Sequence, residues 1–365
     1  MKHLLLVGAG HAHVEVLRAF GRRPVAGVRI TVLTRDAQTL YSGMLPGVVA
    51  GAYARAEAEI ELASLAGFAR ASLIVDEACG LDVAGRQVRR AGGPAIGYDL
   101  VSLDIGSTPA GGDAAPAVPV KPIGGFLDRY ADLRARVASG RSRRIVLVGG
   151  GAGGVELMLA LERGLRGVPA GSAVSFTLVA GETLLGSFPP AMRARLGATL
   201  GRRGIAVLAG ARAVAVDGRG VTLADGRRIA ADEVLWATEA SPAPWIARSG
   251  LACDQAGFLS VDATLRACGR NDVFAAGDMV AFAAGGVARS GVYAVRAGPV
   301  LAGNLRAALT GAPLLPWRPQ RRALAILSTA DGSAVAAYGG ISVEGRLAWW
   351  LKDRIDRRFI RRYRN

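Results

Sequence analysis

The 365-residue chain is poor in cysteine, and its three cysteines lie far apart. Cys79, Cys253 and Cys268 form no Cys-x-x-Cys pair, so the sequence excludes a close redox dithiol. It also offers no ligand cluster of the kind that binds zinc, and we predict no metal site. Isolated thiols are typical of a reducing compartment, which favours a cytoplasmic protein with inert cysteines.

The chain also lacks any apolar run of the roughly 18 residues needed to cross a bilayer. Residues 1–9 resemble a buried strand more than a signal sequence, so export is not expected. Hydrophobic residues make up 51% of the chain, which is enough to bury two substantial cores.

Glycine, in contrast, is abundant, and two glycine-rich turns repeat one pattern. Residues 4–15 and 146–156 each read as an apolar strand, a glycine turn and an amphipathic helix. This layout binds a dinucleotide pyrophosphate at the helix N-terminus. In the second copy, Gly149 suits the tight turn, Gly151 admits the phosphates, and Gly154 allows close packing of helix on strand.

The first copy keeps two of these glycines. Gly8 and Gly10 occupy the first two positions, but His13 stands at the third. We expect its imidazole to be packed or to face the pyrophosphate. Because His11 and His13 have no carboxylate or cysteine cluster beside them, a metal site is not expected there.

The repetition extends beyond the turns. Residues 86–109 predict a hairpin followed by a buried strand that ends near Gly106, and residues 220–242 repeat this pattern up to Thr238. A further apolar strand, 271–278, ends in Gly277 and Asp278, whose carboxylate can accept hydrogen bonds from sugar or ribityl hydroxyls. The chain therefore shows duplication at the scale of a domain.

These motifs resemble the two-dinucleotide flavoproteins, which include pyridine nucleotide-disulfide oxidoreductases, type II NADH dehydrogenases and sulfide:quinone oxidoreductases. Segments 10–14, 41–47, 120–123 and 293–299 resemble more closely the NADH dehydrogenase-like flavoproteins associated with selenide, water dikinase. The resemblance implies an α/β fold with two Rossmann-like domains, binding FAD and either NADH or NADPH. It implies a split FAD domain (1–120 and 245–310), an inserted NAD(P)H domain (121–244) and a C-terminal region (311–365).

The resemblance also assigns site residues. FAD is expected over Gly8 and Gly10, with Asp278 at its ribityl or pyrophosphate end. Further residues expected at the cofactors are Ser42, Gly43 and Pro46 near the flavin ring, Gly106 and Thr238 at the strand ends, Gly277 beside Asp278, and Ala294. A helix beginning around residues 294–298 is expected to direct its positive end at the pyrimidine edge of the flavin.

Lysine is rare, since only Lys2, Lys121 and Lys352 occur beside many arginines. Lys121 lies where the chain should cross between the two nucleotide domains. We interpret it as a catalytic residue whose ammonium lies near the flavin N5 or O4 edge and stabilises the reduced ring. The alternative is a solvated linker lysine.

The strand ends that usually bind ribose are atypical. Thr34 and Arg35 stand where an acidic residue is common, and Arg35 could stack on adenine. In the second half Ala180 takes that position, and Glu182 lies two residues further on. The choice between NADH and NADPH stays open.

We therefore expect hydride transfer from NAD(P)H to flavin, followed by electron transfer to a quinone or similar acceptor. One alternative is sulfide or selenide oxidation that uses Cys253 or Cys268. Another is a flavin-loaded partner of a selenium enzyme with little turnover. The sequence leaves a homodimer open.

Positive charge is concentrated at the C-terminus of a chain whose net charge is +16. The apolar residues there recur at helical spacing and are flanked by arginine: Leu347, Trp350, Leu351, Ile355, Phe359 and Tyr363. Such a helix can attach peripherally to the inner face of a membrane, in which case truncation before Arg346 should spare FAD. The alternative is a helix docked on the protein. No nucleic-acid-binding motif accompanies the charge.

Overall fold

The computed structural model of the chain describes residues 1–111, 116–320 and 322–364. It is a mixed α/β structure built on two five-stranded parallel sheets, and the predicted fold class is confirmed. The central strand of each sheet is one of the two apolar segments that precede a glycine turn.

The first part of the chain forms ten strands and four helices. The strands are β1 (Lys2–Val7), β2 (Val28–Thr34), β3 (Gln38–Leu40), β4 (Glu59–Glu61), β5 (Ser72–Val75), β6 (Ala78–Asp82), β7 (Gln87–Arg90), β8 (Gly93–Gly97), β9 (Leu100–Leu103) and β10 (Thr108–Pro109). The helices are α1 (His11–Arg22), α2 (Leu45–Val49), α3 (Arg55–Ala58) and α4 (Leu62–Phe68), with a 3-10 turn at Ser42–Met44.

The middle part repeats this plan with longer helices. Its strands are β11 (Val118–Pro119), β12 (Arg144–Val148), β13 (Ser175–Val179), β14 (Ile205–Leu208), β15 (Ala213–Asp217), β16 (Gly220–Leu223), β17 (Arg228–Ala230), β18 (Glu233–Trp236) and β19 (Ala240–Ser241). Its helices are α5 (Ile123–Ala138), α6 (Ala152–Arg166) and α7 (Pro190–Arg202), with a 3-10 turn at Gly171–Ala173.

The last part returns to the first sheet and then forms a small sheet of its own. Its strands are β20 (Leu259–Val261), β21 (Val273–Ala275), β22 (Val280–Phe282), β23 (Ala325–Ser328), β24 (Ala334–Tyr338) and β25 (Ile341–Gly345). Its helices are α8 (Pro244–Ala247), α9 (Gly291–Thr310) and α10 (Arg346–Tyr363), with a 3-10 turn at Gly277–Met279.

The two parallel sheets match strand for strand. The first has the order β21-β9-β1-β2-β5 and the second the order β11-β18-β12-β13-β14. In each half a separate three-stranded antiparallel sheet, β6-β7-β8 or β15-β16-β17, contains the predicted hairpin. The central strands are buried on both faces, as apolar strands between helix layers should be.

Each parallel sheet has an edge strand from a distant part of the sequence. The first is completed by β21, so its strands come from both sides of the middle part, as a split domain requires. The second is completed by β11, whose two residues precede position 121. The chain therefore enters the second sheet slightly before the predicted boundary. Between the halves, β10 pairs with β19.

The C-terminal region packs against both halves. Leu327 and Val335 of the small sheet join the core of the second half, whereas Phe359, Ile360 and Tyr363 of α10 join the core of the first. The predicted apolar stripe is thus divided, because its last residues are buried while Leu347 remains 84% exposed. Among the described residues, no helix is long and apolar enough to cross a membrane.

Candidate active site

The first glycine turn joins β1 to α1 by a very close approach of backbone to backbone. Gly8 has a φ of +84°, and a Cβ there would collide with the backbone of Asp104. Its N–H donates to Leu33 O at 2.7 Å, and Gly10 then precedes the first residue of α1. The turn has the tight form that the sequence predicts.

His13 fills the space behind this turn. Its Nδ1 donates to Gly8 O at 2.7 Å, and its Nε2 lies 2.8 Å from the Ser102 hydroxyl. Burial lowers the pKa of His13 to about 4, so the ring is neutral and accepts from Ser102. Both nitrogens are used inside the fold. Of the two orientations expected, the structure shows the packed one, and the ring does not face the pyrophosphate position.

Two further polar groups lie at this turn and were not among the predicted residues. Asp104 directly follows β9, and its Oδ2 accepts hydrogen bonds from the N–H groups of Ala12 and His13 at the start of α1. His11 has a buried Nε2 that lacks a hydrogen-bond partner within the part of the chain that the structure describes. An internal alignment of the two halves would have drawn attention to Asp104, which stands opposite Ala237.

Lys121 and Asp278, which are 157 residues apart in sequence, meet in the structure. Lys121 Nζ lies 2.8 Å from Asp278 Oδ2, and Ser107 Oγ is 3.5 Å from the same ammonium. Both charges act on the nearby His11. Burial lowers the pKa of His11 to about 4, the Asp278 carboxylate opposes this shift, and the Lys121 ammonium adds to it. Lys121 is therefore ion-paired with Asp278 and is not a free linker lysine, and its catalytic role stays a prediction.

The loop predicted to border the flavin faces the start of α9. Ser42 and Gly43 lie in the 3-10 turn, and Pro46 lies in the first turn of α2. Gly291 is close to Ser42, because a Cβ on that glycine would be 3.6 Å from Ser42 Oγ. Helix α9 begins at Gly291, three residues before the predicted start at Ala294, which is buried in its first turn.

The second glycine turn is more open. Gly149 has a φ of +139°, and its N–H donates to Val179 O at 2.9 Å. A Cβ at Gly154 would collide with Gly149 O, which explains the need for glycine where helix meets strand. A Cβ at Gly151 would meet nothing within 4 Å. The space beside Gly151 is thus free for a ligand.

The remaining predicted residues lie at carboxyl ends of the parallel strands. Gly106 and Gly277, with φ values of +70° and +81°, follow the neighbouring strands β9 and β21. Thr238 follows β18, and its hydroxyl donates to Ala110 O at 2.6 Å. Ligands in open α/β sheets bind at this edge.

The residues at the two ribose positions differ in exposure. Thr34 is buried at the end of β2, whereas Arg35 is exposed and lies 3.7 Å from Glu77 in an ion pair. In the second half, Glu182 is exposed just beyond the end of β13. Neither half presents a buried carboxylate at the usual ribose position.

A family model described as pyridine nucleotide-disulphide oxidoreductase matches residues 2–298. The chain belongs to this family. Membership agrees with the paired sheets and confirms the predicted cofactors, FAD and NAD(P)H. It also shows that the protein is an oxidoreductase.

Several members with known names are similar to the chain. It is 32% identical over 301 residues to the ferredoxin–NAD(+) reductase component of the biphenyl dioxygenase system of Paraburkholderia xenovorans, covering 76% of the chain and 67% of that protein. It is 28% identical over 237 residues to an NADH dehydrogenase-like protein of Mycobacterium tuberculosis, covering 61% of the chain and 58% of that protein. It is 30% identical over 207 residues to a demethylphylloquinone reductase of Synechocystis, covering 54% of the chain and 49% of that protein. The chain thus spans about half to two thirds of these relatives.

Solved structures share the whole architecture. The sulfide:quinone oxidoreductase of Aquifex aeolicus aligns with a TM-score of 0.81 at 18% identity, covering 100% of the chain and 92% of that structure. Putidaredoxin reductase, solved in a covalent complex with putidaredoxin, aligns with a TM-score of 0.73 at 18% identity, covering 93% of the chain and 81% of that structure. These similarities show the fold.

In this member of the family two of the three cysteines are disfavoured as thiolates. Cys79, Cys253 and Cys268 are free thiols. Burial, followed by a nearby carboxylate, raises the pKa of Cys253 and of Cys268, which disfavours the reactive thiolate. The family name refers to a disulphide, but this chain has no close dithiol in its sequence.

Proposed function

We propose that the protein oxidises NAD(P)H at the second glycine turn and passes the electrons, through FAD at the first turn, to a quinone. FAD would supply the step between two-electron hydride transfer and the acceptor. The chain itself supplies the binding sites, the charges around them and a cavity for the acceptor.

The first half fits FAD at several points. The tight turn at Gly8 directs the start of α1 toward the pyrophosphate, and the unpartnered His11 Nε2 offers a buried polar atom to a ligand. Asp278 would accept hydrogen bonds from ribityl hydroxyls. Lys121, held by Asp278, would place a positive charge where reduction leaves negative charge on the flavin.

The second half fits NAD(P)H. The open space beside Gly151 and the N-terminus of α6 form a cradle for a pyrophosphate, without a carboxylate at the position of Asp104. Thr238 lies at the adjoining strand end. The nicotinamide would extend from here toward Lys121, where the two halves meet.

The observation that supports a quinone as the acceptor is a cavity of about 250 Å³. Its wall includes Tyr53, Ser328, Trp349 and Lys352. Lys352 also donates to Gly43 O at 2.6 Å. The same ammonium group therefore contacts both the cavity and the loop that is expected to border the flavin. The two aromatic rings and the volume suit a planar quinone ring.

Ionisable groups beside this cavity can exchange protons with a reduced quinone. Lys352 Nζ lies 2.8 Å from Asp356 and 3.6 Å from Glu156. Burial raises the pKa of Glu156 and of Asp356, although the Lys352 ammonium opposes both shifts. Burial alone would lower the pKa of Lys352, but the two carboxylates raise it overall. The Lys352 ammonium on the cavity wall thus contacts two carboxyl groups whose raised pKa favours the protonated form.

The exposed part of α10 suits contact with the membrane in which a lipid quinone dissolves. Leu347, Trp350, Leu351 and Ile355 present apolar surface to solvent, and Trp350 is 53% exposed. Arginines flank this surface, which favours anionic lipid headgroups. Lys352 and Trp349 connect the same helix to the cavity.

Acceptor competition tests this function. After anaerobic reduction with NAD(P)H, the flavin should be reoxidised by naphthoquinones faster than by ferredoxins. Ala52→Trp, at an exposed position on the cavity wall, should raise the KM for quinone and leave reduction by NAD(P)H unchanged. Ala54→Trp, two residues away and outside the wall, is the matched control. Equal KM values for quinone in both variants would show that the cavity does not bind the quinone.

A ferredoxin-type carrier is the second candidate acceptor. The reductase of Paraburkholderia xenovorans is named for ferredoxin, and a net charge of +16 would attract an acidic carrier protein. Fast reoxidation by ferredoxin that slows with added salt would favour this candidate over quinone. Tight FAD without reduction by either nucleotide would instead indicate a flavin-loaded partner protein of low turnover.

A further inference from the structure

A buried carboxylate occupies the N-terminus of α1, where the fold would place a phosphate. Asp104 is 2% exposed, and its Oδ2 accepts from Ala12 N–H at 2.9 Å and from His13 N–H at 3.0 Å. The first N–H groups of a helix carry partial positive charge and attract anions. The protein therefore places an acidic group of its own directly beside the expected pyrophosphate.

The second half shows that this group is not required by the fold. Asp104 N–H donates to Val7 O at 2.8 Å, and Ala237 N–H donates in the same way to Val148 O at 2.8 Å. Val7 ends β1 and Val148 ends β12, so Asp104 and Ala237 occupy equivalent positions. One nucleotide cradle thus contains a carboxyl group where the other contains a methyl group.

The Asp104 carboxyl group lies against two glycines on the side where the pyrophosphate is expected. A Cβ at Gly10 would collide with the carboxyl group of Asp104, and a Cβ at Gly277 would collide with its Oδ1. Both glycines belong to the set expected to contact FAD. A side chain in contact with both turns cannot be remote from a ligand bound between them.

No cation neutralises this carboxyl group within residues 1–111, 116–320 and 322–364. From α1, His13 is committed to Gly8 O and Ser102, and His11 is buried and uncharged at neutral pH. From the turn after β21, Asp278 adds negative charge, and the Lys121 ammonium is paired with Asp278. An FAD pyrophosphate would bring further negative charge into the same space.

We propose that Asp104 is a flavin-binding residue that is protonated when FAD is bound, so that FAD uptake by the first half consumes a proton while NAD(P)H uptake by the second half does not. This inference rests on the proposed assignment of FAD to the first glycine turn. A neutral carboxyl group keeps a C=O acceptor for the two helix N–H groups. It also gains an O–H that can donate to a phosphate oxygen, whereas the ionised form would repel it.

The titration of Asp104 agrees with this geometry. Burial, with a smaller contribution from Asp278, raises the pKa of Asp104 to about 7 against the effect of the two helix N–H groups. A bound pyrophosphate raises it further, since a negative neighbour favours the neutral acid. Between the lower pKa of the free protein and the higher pKa of the complex, FAD affinity should fall by up to about tenfold per pH unit as pH rises.

The test is the release of FAD from the holoprotein, followed by flavin fluorescence on dilution between about pH 6 and pH 9. The two histidines, with pKa values of about 4, stay neutral over this range. For the natural protein the Kd of FAD should rise by about tenfold per pH unit over part of this range. Asp104→Asn, which keeps an acceptor and a donor, should show a nearly flat Kd. Asp104→Ala, which copies the second half, should also be flat.

Ala237→Asp is the reciprocal variant. It should make the Kd of NADH rise with pH in the FAD-loaded protein, while the pH dependence of FAD release stays as in the natural chain. A pH slope for FAD release that is unchanged in both Asp104 variants would overturn the proposal. If the Asp104 variants change the pH dependence of NADH binding and not that of FAD, the assignment of the cofactors to the halves is wrong. A natural protein that binds no FAD at all would overturn the proposed function itself.

Discussion

The two nucleotide-binding halves make equivalent backbone hydrogen bonds at their glycine turns but have different side chains behind them. Gly8 N–H donates to Leu33 O of β2, and Gly149 N–H donates to Val179 O of β13. Behind the first turn lies an imidazole, that of His13, and behind the second turn there is only Gly154. The duplicated turn determines where a phosphate can bind, and the side chains behind it determine the charge and the space that this phosphate meets.

One position is the same in both halves and has a partner on α10 in each. Glu15 of α1 and Glu156 of α6 are equivalent, and both contact α10. Tyr363 donates to Glu15 at 2.7 Å, and Lys352 lies 3.6 Å from Glu156. The C-terminal helix therefore connects equivalent carboxylates of the two halves, which makes it part of the nucleotide-binding body and not a detachable tail.

The largest expected effect is the different response of the two glycine turns to a valine substitution. Gly10→Val should yield protein without FAD, because the added side chain collides with Asp104 and fills the pyrophosphate space. Gly151→Val adds its side chain to open space, so this variant should fold and keep FAD. Its affinity for NAD(P)H should fall on the order of 100-fold, about 2.7 kcal/mol. Bound flavin absorbance and anaerobic bleaching measure both results, and the opposite pattern would mean that the halves are assigned backwards.

The next largest effect is a difference in the loss of stability when residues at the two ends of α10 are replaced by alanine. Phe359→Ala should destabilise the protein by about 3 to 5 kcal/mol, because Phe359 is buried and stacks on Tyr41 at 4.2 Å between ring centroids. Leu347→Ala, at an exposed position of the same helix, should change stability by less than about 0.5 kcal/mol. Denaturant unfolding of the two variants measures the difference. Equal stabilities would show that the helix is not docked.

The same helix revises the expected result of truncation. Removal of the chain from Arg346 onward takes away Phe359, Ile360 and Tyr363 from the core of the first half. We now expect the truncated protein to lose FAD or solubility, contrary to the expectation from a membrane-bound tail. Leu347→Glu instead tests the membrane surface alone, since it should weaken binding to anionic vesicles with flavin content unchanged.

A pH-dependent effect should distinguish Lys352 from Lys2. Lys352→Met leaves the buried Glu156 and Asp356 without their cation, at a cost of about 3 to 5 kcal/mol near neutral pH. Because burial raises the pKa of both carboxyl groups, they should become neutral as pH falls, and the cost should shrink. Lys2→Met removes only a hydrogen bond to Leu309 O, so its cost of about 1 kcal/mol should not vary with pH. Unfolding curves at several pH values provide the test, and a pH-independent cost for Lys352→Met would contradict this interpretation.

The smallest effect is expected from the thiols. Serine at Cys79, Cys253 or Cys268 should change reduction by NAD(P)H and turnover with quinone by less than about twofold, since burial disfavours the thiolate of the latter two. Stopped-flow bleaching and steady-state assays measure these rates. Loss of acceptor turnover in the Cys253 or Cys268 variant alone would point to sulfide or selenide oxidation.

The sequence predicts well those features that depend on backbone and periodicity. The two turns, the two hairpins and the strand that precedes Gly277 are present because glycine placement and apolar periodicity determine them locally. Lys121 and Asp278 were each expected near the flavin, but their ion pair was not predicted, because 157 residues separate them in the sequence. Asp104 was missed because its position at the end of an apolar run gives no sign that it faces a helix terminus. The division of α10 depends on contacts with two cores, which periodicity alone cannot assign.

The most direct test of the central claim, that one chain binds FAD and reduces it with NAD(P)H, is an anaerobic titration of the purified protein followed at the flavin absorbance band. The protein should be yellow, contain about one noncovalent FAD per chain and be bleached by about one equivalent of NADH or NADPH. A colourless protein that does not take up added FAD, or a bound flavin that neither nucleotide bleaches, would contradict it.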